Sequence, residues 1–174
     1  MKNKKLENSV RGLVNLYTVV IGVSLSIAVV RAIDVNAGLA SASNVSLLLF
    51  VCFVVTLFPF FHGALRHLDD AYIENDSPNI RTGALIIDFA LLFMHALAFV
   101  VLSQLLQRPA HFAWVLITVL AIDVIWGVFT HYGSSSGSAL SAESKWSIIN
   151  VAFIAVVAGY LVKEDIYLSY SNDD

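Results

Sequence analysis

Asp88, His95 and Asp123 are out of keeping with their surroundings, because each lies inside a long apolar run of the 174-residue chain. An ionisable side chain in hydrocarbon costs about 3 kcal/mol or more unless it faces protein, water or a partner, so such residues mark sites rather than filler. Asp88 and His95 are seven residues apart within Ala84 to Leu106, ALIIDFALLFMHALAFVVLSQLL. At helical pitch they fall nearly in line on one face, about two turns apart. Asp123 is followed by Gly127, Thr130 and His131 at spacings of four, three and one, which again makes a single polar face. A carboxylate and an imidazole in this setting can bind a proton or a cation, and histidine changes charge near neutral pH. Asn150 and Asn15 add amides to two further apolar runs, so Asp88, His95, Asp123, His131, Asn150 and Asn15 form the candidate ion-pathway or buried-polar set. The plainer reading is that each bonds a backbone group or another helix.

A second concentration of chemistry lies in PFFHGALRHLDDAYIEND, residues 59 to 76. His62, Arg66, Asp69 and Asp70 share one helical face, and His67, Asp70 and Glu74 line up on a neighbouring one. Arg66 and Asp70 are spaced as an i,i+4 ion pair. The segment reads first as a helix end emerging into solvent. It also qualifies as a docking surface or cytosolic gate for a protein partner, built from His62, Arg66, His67, Asp69, Asp70 and Glu74. His67, Asp70 and Glu74 are a weak candidate for a metal site, since three such ligands at loose spacing arise often by chance. No cofactor is implied. The motifs of serine hydrolases, zinc proteases, dithiol redox enzymes and phosphate-binding loops are missing, which leaves a membrane-embedded enzyme as the weakest reading.

The elements that must position these groups follow from composition. The chain is 58% hydrophobic and 13% charged, with a mean hydropathy of +0.78. A soluble domain carries about 25% charged residues. The lipid bilayer is therefore the expected surroundings, with the bacterial inner (plasma) membrane as the expected location. The net charge of -3 is small and dispersed and offers no nucleic-acid surface. The single cysteine, Cys52, excludes an internal disulfide and any multi-cysteine metal centre within one chain.

The fold class expected is all-α, a polytopic integral membrane protein built as one transmembrane domain. Five helices are predicted over about 10–33, 44–68, 81–107, 110–132 and 145–168, in an N-in/C-out bundle. The first apolar stretch is longer than the core of a secretory signal peptide, so it reads as a retained helix. On it Arg11, Asn15, Thr18, Gly22 and Ser26 recur at spacings of four, three, four and four, a polar, small-residue stripe suited to close helix packing or to facing water. Pro59 interrupts the second helix and should bend it, with Thr56 helping to satisfy the freed backbone. Arg108-Pro109 ends the third helix and leaves a very short connection to the fourth, which makes those two antiparallel neighbours. The third then rises while the fourth descends, so Asp88 and Asp123 come to similar depths. Two carboxylates at one depth should not both be charged without a cation or basic group between them.

Three functions remain open at this level. The first is a homo-oligomeric ion or proton channel, since five short helices enclose little alone while a ring of copies builds an axial path. The second is a sensor or scaffold subunit that docks a cytosolic protein through residues 62–81. The third is the enzyme.

Overall fold

A computed structural model of the protein describes residues 4–33, 44–74, 82–133 and 142–163. Among them there is no strand; the helices are α1 (Lys4–Ala32), α2 (Asn44–Leu68), α3 (Thr82–Gln104), α4 (Pro109–Gly133) and α5 (Ala142–Lys163). A π-helical segment, Asp69–Glu74, continues directly from α2. That extension was not expected from the sequence, which ended the second helix at 68. The third helix ends at Gln104 rather than 107, where Leu105 N–H bonds to the Leu102 carbonyl at 3.0 Å and tightens the last turn. The fifth starts earlier than expected, at Ala142, and residues 164–168 of the expected helix lie outside the described residues.

Four helices are long and apolar enough to cross a membrane: Leu6–Ala32, Val45–Ile73, Leu85–Gln104 and Pro109–Val128. The apolar part of α5, Trp146–Val162, is shorter; at 1.5 Å per residue it covers about 25 Å. Fewer than a third of the residues in each of the four spans are buried within the chain. Large apolar side chains stand on the outside instead, Val30 and Val156 among them at 64% and 67% exposure. In water such a surface would aggregate; against acyl chains it is the matching solvent. Four such helices with an apolar exterior suit an integral membrane protein.

The chain forms two compact units, Met1–Gln107 and Arg108–Asp174. In the first, α1 packs most extensively along α3 and also meets α2 and the π segment. Val10 near the start of α1, Leu68 at the end of α2, Tyr72 in the π segment and Leu85 near the start of α3 form one buried cluster. These helices therefore run up, down and up. Further along, Tyr17 stacks on Phe61, and Phe99 makes edge-to-face pairs with Phe53 and Phe60. Such aromatic pairs contribute about 1 kcal/mol each beyond their buried area.

Helix α2 passes through Pro59 as one continuous element. Proline removes an N–H and crowds the carbonyl four residues back, that of Val55. Thr56 does not serve that carbonyl: its hydroxyl donates to the Cys52 carbonyl at 2.8 Å, one turn earlier. In the second unit, α4 packs along α5. Arg108 caps α4, accepting from Phe112 N–H at 2.9 Å, and Pro109 occupies the first helical position, where its missing donor costs nothing.

Candidate functional site

Asp88 lies about one turn inside the apolar span of α3, and it is held from across the bundle. Tyr72 donates its hydroxyl to Asp88 Oδ2 at 2.6 Å. His67 Nε2 sits 3.0 Å from the same oxygen. The first distance falls in the range of a hydroxyl bound to an ionised carboxylate, the second in the ordinary N–H···O range. The carboxylate is largely enclosed, with 13% of its side chain exposed against 29% for His67. One oxygen thus gathers a phenol and an imidazole at the rim of the apolar layer.

The local backbone makes this convergence possible. His67 and Tyr72 are five residues apart, and in an α-helix five residues overshoot a full turn by about 140°, which would point the two side chains to different sides. A π turn closes over i→i+5 and has more residues per turn, so it brings that offset down to roughly half. The π segment begins at Asp69, between the two donors. It is the element that lets both reach one atom. Around them, Leu6, Val10, Leu13 and Val14 of α1 and Leu85 and Leu92 of α3 supply apolar packing.

His95, the second member of the expected pair on α3, is buried at 6% exposure. Its Nδ1 lies 2.8 Å from the Leu91 carbonyl, so Nδ1 carries the proton that makes this bond. Nε2 is then a buried acceptor, and it has no hydrogen-bond partner. The Phe60 ring packs against the imidazole with centroids 5.6 Å apart. Asp88 and His95 share a face, as their spacing predicts, but no direct bond links them.

Asp123 belongs to the other unit and has its own partner. Asn150, 2% exposed on α5, donates from Nδ2 to Asp123 Oδ2 at 2.6 Å. The reading of these buried polar groups as cross-helix hydrogen bonds is met here. Each carboxylate is satisfied inside its own unit, so neither needs the other or a shared cation. His131 lies in α4, and its side chain is outside the described residues.

The remaining candidates divide. Asn15 is exposed on α1, together with Arg11, Thr18, Gly22 and Ser26. This corrects the expectation of a buried polar group and of close packing within the chain: a side chain added at Gly12 or Gly22 would meet nothing within 4 Å. Thr18 and Ser26 instead turn back to the Val14 and Gly22 carbonyls at 2.9 Å. His62, Asp69 and Asp70 are exposed. Arg66 Nε and Asp70 Oδ2 form the anticipated i,i+4 pair at a long 3.4 Å, with both side chains more than half exposed. Of the candidate metal ligands, His67 has Nε2 at Asp88 Oδ2 and Asp70 meets Arg66. Among the described residues no three His, Cys, Asp or Glu side chains are grouped to hold a metal, and the Glu74 side chain lies outside them.

Tyr72 is the residue that sequence reasoning did not single out, and His67 was placed with the wrong partners. The available signal was depth. Once α2 runs on to Glu74, His67 sinks to the level of Asp88 instead of sitting at the membrane edge. The chain matches no family model, no curated protein and no solved structure.

Proposed function

We propose that the protein is a proton-linked membrane protein, in which the His67–Asp88–Tyr72 cluster takes up and releases a proton at the inner face and thereby supports ion or proton conduction by an assembly of copies. The observation that carries this reading is a carboxylate set inside an apolar span and held on one oxygen by an imidazole and a phenol. A charge kept in that position at the cost of desolvation is the common mark of a proton or ion path. Histidine beside it gives the carboxylate a neighbour whose charge changes near neutral pH. His95, two turns further along the same face, is the natural next acceptor, since its Nε2 lone pair is unused. Asp123 and Asn150 supply a second polar position on α4 and α5.

The orientation that fits this reading has the N-terminus inside. With five spans, the inner segments carry Lys2, Lys4, Lys5, Arg11, Arg66, Arg81 and Lys145, and the outer ones Arg31, Arg108 and Lys163. Lys and Arg concentrate in inner segments, so N-in/C-out follows, in a bacterial inner membrane. The fifth crossing, by α5, is the shortest of the five. Three up-and-down helices and a helix pair enclose no wide path by themselves, which favours a homo-oligomer with an axial route.

Purified protein in liposomes with a trapped pH-sensitive dye tests conduction. Wild type should pass protons or a proton-coupled ion under an imposed gradient, and Asp88→Asn should reduce the flux at least tenfold. Equal flux through Asp88→Asn and wild type would refute a role for this carboxylate. A second reading, docking of a cytosolic protein, draws on the exposure of His62, Arg66, Asp69 and Asp70 at the end of α2. It requires that Arg66→Ala with Asp69→Ala lose a co-purifying partner that wild type retains.

A further inference from the structure

We propose that the π segment Asp69–Glu74 is a register switch worked by the proton on Asp88, a reading that rests on Asp88 being the proton-binding group. A run of i→i+5 bonds is rare because α-helical packing of the same residues is the better backbone geometry, and such runs persist where something else holds them. Here the holder is visible. Tyr72 is drawn round to Asp88 Oδ2, the atom that also takes His67. Relaxation of the segment to α geometry would widen the angle between His67 and Tyr72 to about 140°, and the two could no longer share that oxygen.

A neighbouring contact is poorly served by the π form. Arg66 and Asp70 are spaced four apart, the separation that α geometry brings together. Their contact through Arg66 Nε is 3.4 Å, whereas Arg11 Nε and Glu7, equally spaced in the regular helix α1, meet at 3.1 Å. The ionised Asp88 favours the π form by accepting from Tyr72; the Arg66–Asp70 pair favours the α form. The two geometries are therefore each supported by a different acid, one enclosed and one exposed.

Protonation of Asp88 shifts the balance. A neutral carboxyl group is a weaker acceptor than the carboxylate and no longer attracts a charged imidazole. The groups that face Asp88 make it the deciding member. From α2 and the π segment these are His67 and Tyr72; α1 packs Leu6, Val10, Leu13 and Val14 against the same cluster. Glu7 and Arg11 are paired with each other, and His95 on α3 is bonded to Leu91. With Asp88 neutral, the segment winds to α geometry and its residues rotate about the α2 axis. Asp69 and Asp70, exposed at the inner face, turn with it. A proton bound in the membrane rim is thus converted into a rotated acidic surface.

The test uses full-length protein in liposomes, with Cys52→Ser and single spin-labelled cysteines placed in turn at Asp69, Asp70, Ala71 and Ile73. Collision with a water-soluble paramagnetic relaxer reports which positions face solvent. At neutral pH, positions 69 and 70 should be the accessible ones. On acidification the accessibility maximum should move along the segment by about one residue, since one residue of α-helix is a 100° turn. Asp88→Asn should show the acidic pattern at neutral pH. Deletion of Ala71 places the imidazole and the phenol four apart, so an α-helix alone presents both to Asp88; its pattern should not change with pH. An unchanged wild-type pattern across pH overturns the switch, and so does a deletion variant that shifts as far as wild type. A lost flux in Asp88→Asn without any pH-dependent rotation would remove the switch and leave proton conduction standing. Rotation without flux in wild type would do the reverse.

Discussion

Because His67 and Tyr72 bond the same oxygen of Asp88, the cost of removing them should not add up, and the sign of the departure is fixed by the geometry. Take Tyr72→Phe first. It deletes a hydroxyl that makes a 2.6 Å bond and leaves the ring in its buried cluster. A hydrogen bond to a charged group contributes about 1.5–3 kcal/mol in water-soluble proteins, and side-chain bonds in membrane proteins average nearer 0.6 kcal/mol. The cluster sits at the rim with His67 partly exposed, so a loss of about 1 kcal/mol is the working figure for either donor alone. His67→Phe should cost about the same, because Tyr72 remains to satisfy the oxygen. Removing both strands a largely enclosed carboxylate with neither donor, and a buried charged group left unsatisfied costs about 1–3 kcal/mol beyond the bonds themselves. The double variant should therefore lose about 3–5 kcal/mol, clearly more than the sum of the singles. Reversible unfolding in mixed micelles, followed by helical circular dichroism, gives all four corners of the cycle. The same cycle built on Asp88→Asn supplies the control, since an amide can use its own donors and needs neither partner. Additivity within about 0.5 kcal/mol in the wild-type background would refute the shared-oxygen account.

Other perturbations separate structure from function at the remaining positions. Asn150→Leu should destabilise the α4–α5 unit by about 1–2 kcal/mol, because it takes a 2.6 Å donor from Asp123 and leaves the acid in an apolar setting; pairing it with Asp123→Leu should recover most of that loss in the same unfolding assay. His95→Phe should raise stability by up to about 1 kcal/mol, since it removes a buried acceptor that has no partner and keeps an aromatic ring against Phe60. A fall in proton flux in that more stable variant would mark His95 as part of the path, whereas unchanged flux would leave it a packing residue. A reporter active only outside the cytoplasm, fused after Asp174, should be active if α5 crosses the membrane; activity of a cytoplasmic reporter there would reduce the crossings to four.

The apolar helices were legible in the sequence, because long apolar runs between polar turns leave a membrane chain little choice; their polar ends were not, since α1 begins at Lys4 rather than 10 and the second helix runs on to Glu74. The pairing of Asp123 with Asn150 was legible as one option among several, since a buried acid on one helix needs a donor on another. His67 was not legible in its real role. The ionisable density of residues 62 to 76 looks like a helix dissolving into solvent, and ending the helix at 68 puts His67 at the surface, with Asp88 well below it. The six residues of the π segment change that depth. Nothing in DDAYIE announces a π turn, because what holds it is a contact to Asp88, sixteen residues from Tyr72. Tyr72 was invisible for the same reason: a tyrosine at a membrane interface ordinarily needs no partner beyond the headgroups. The polar stripe on α1 was legible in part. Helical spacing collected Asn15, Thr18, Gly22 and Ser26 correctly, but spacing says which residues share a face and not what that face meets.

The two half-buried acids differ in a way that bears on where proton chemistry can occur. Asp123 is bonded to an amide, and an amide neither gives up nor accepts a proton near neutral pH; the bond fixes α4 against α5 and passes nothing on. Asp88 is bonded to an imidazole, which can take a proton from water at its exposed edge and stand 3.0 Å from the carboxylate. The second arrangement sets a titrating group beside the acid, with part of its ring exposed. Asp88→Asn should therefore reduce proton flux at least tenfold, while Asp123→Asn, which keeps a carbonyl oxygen for the Asn150 donor, should leave most of it intact. Equal loss in the two variants would mean that the path runs past both acids and that the imidazole is not its entrance.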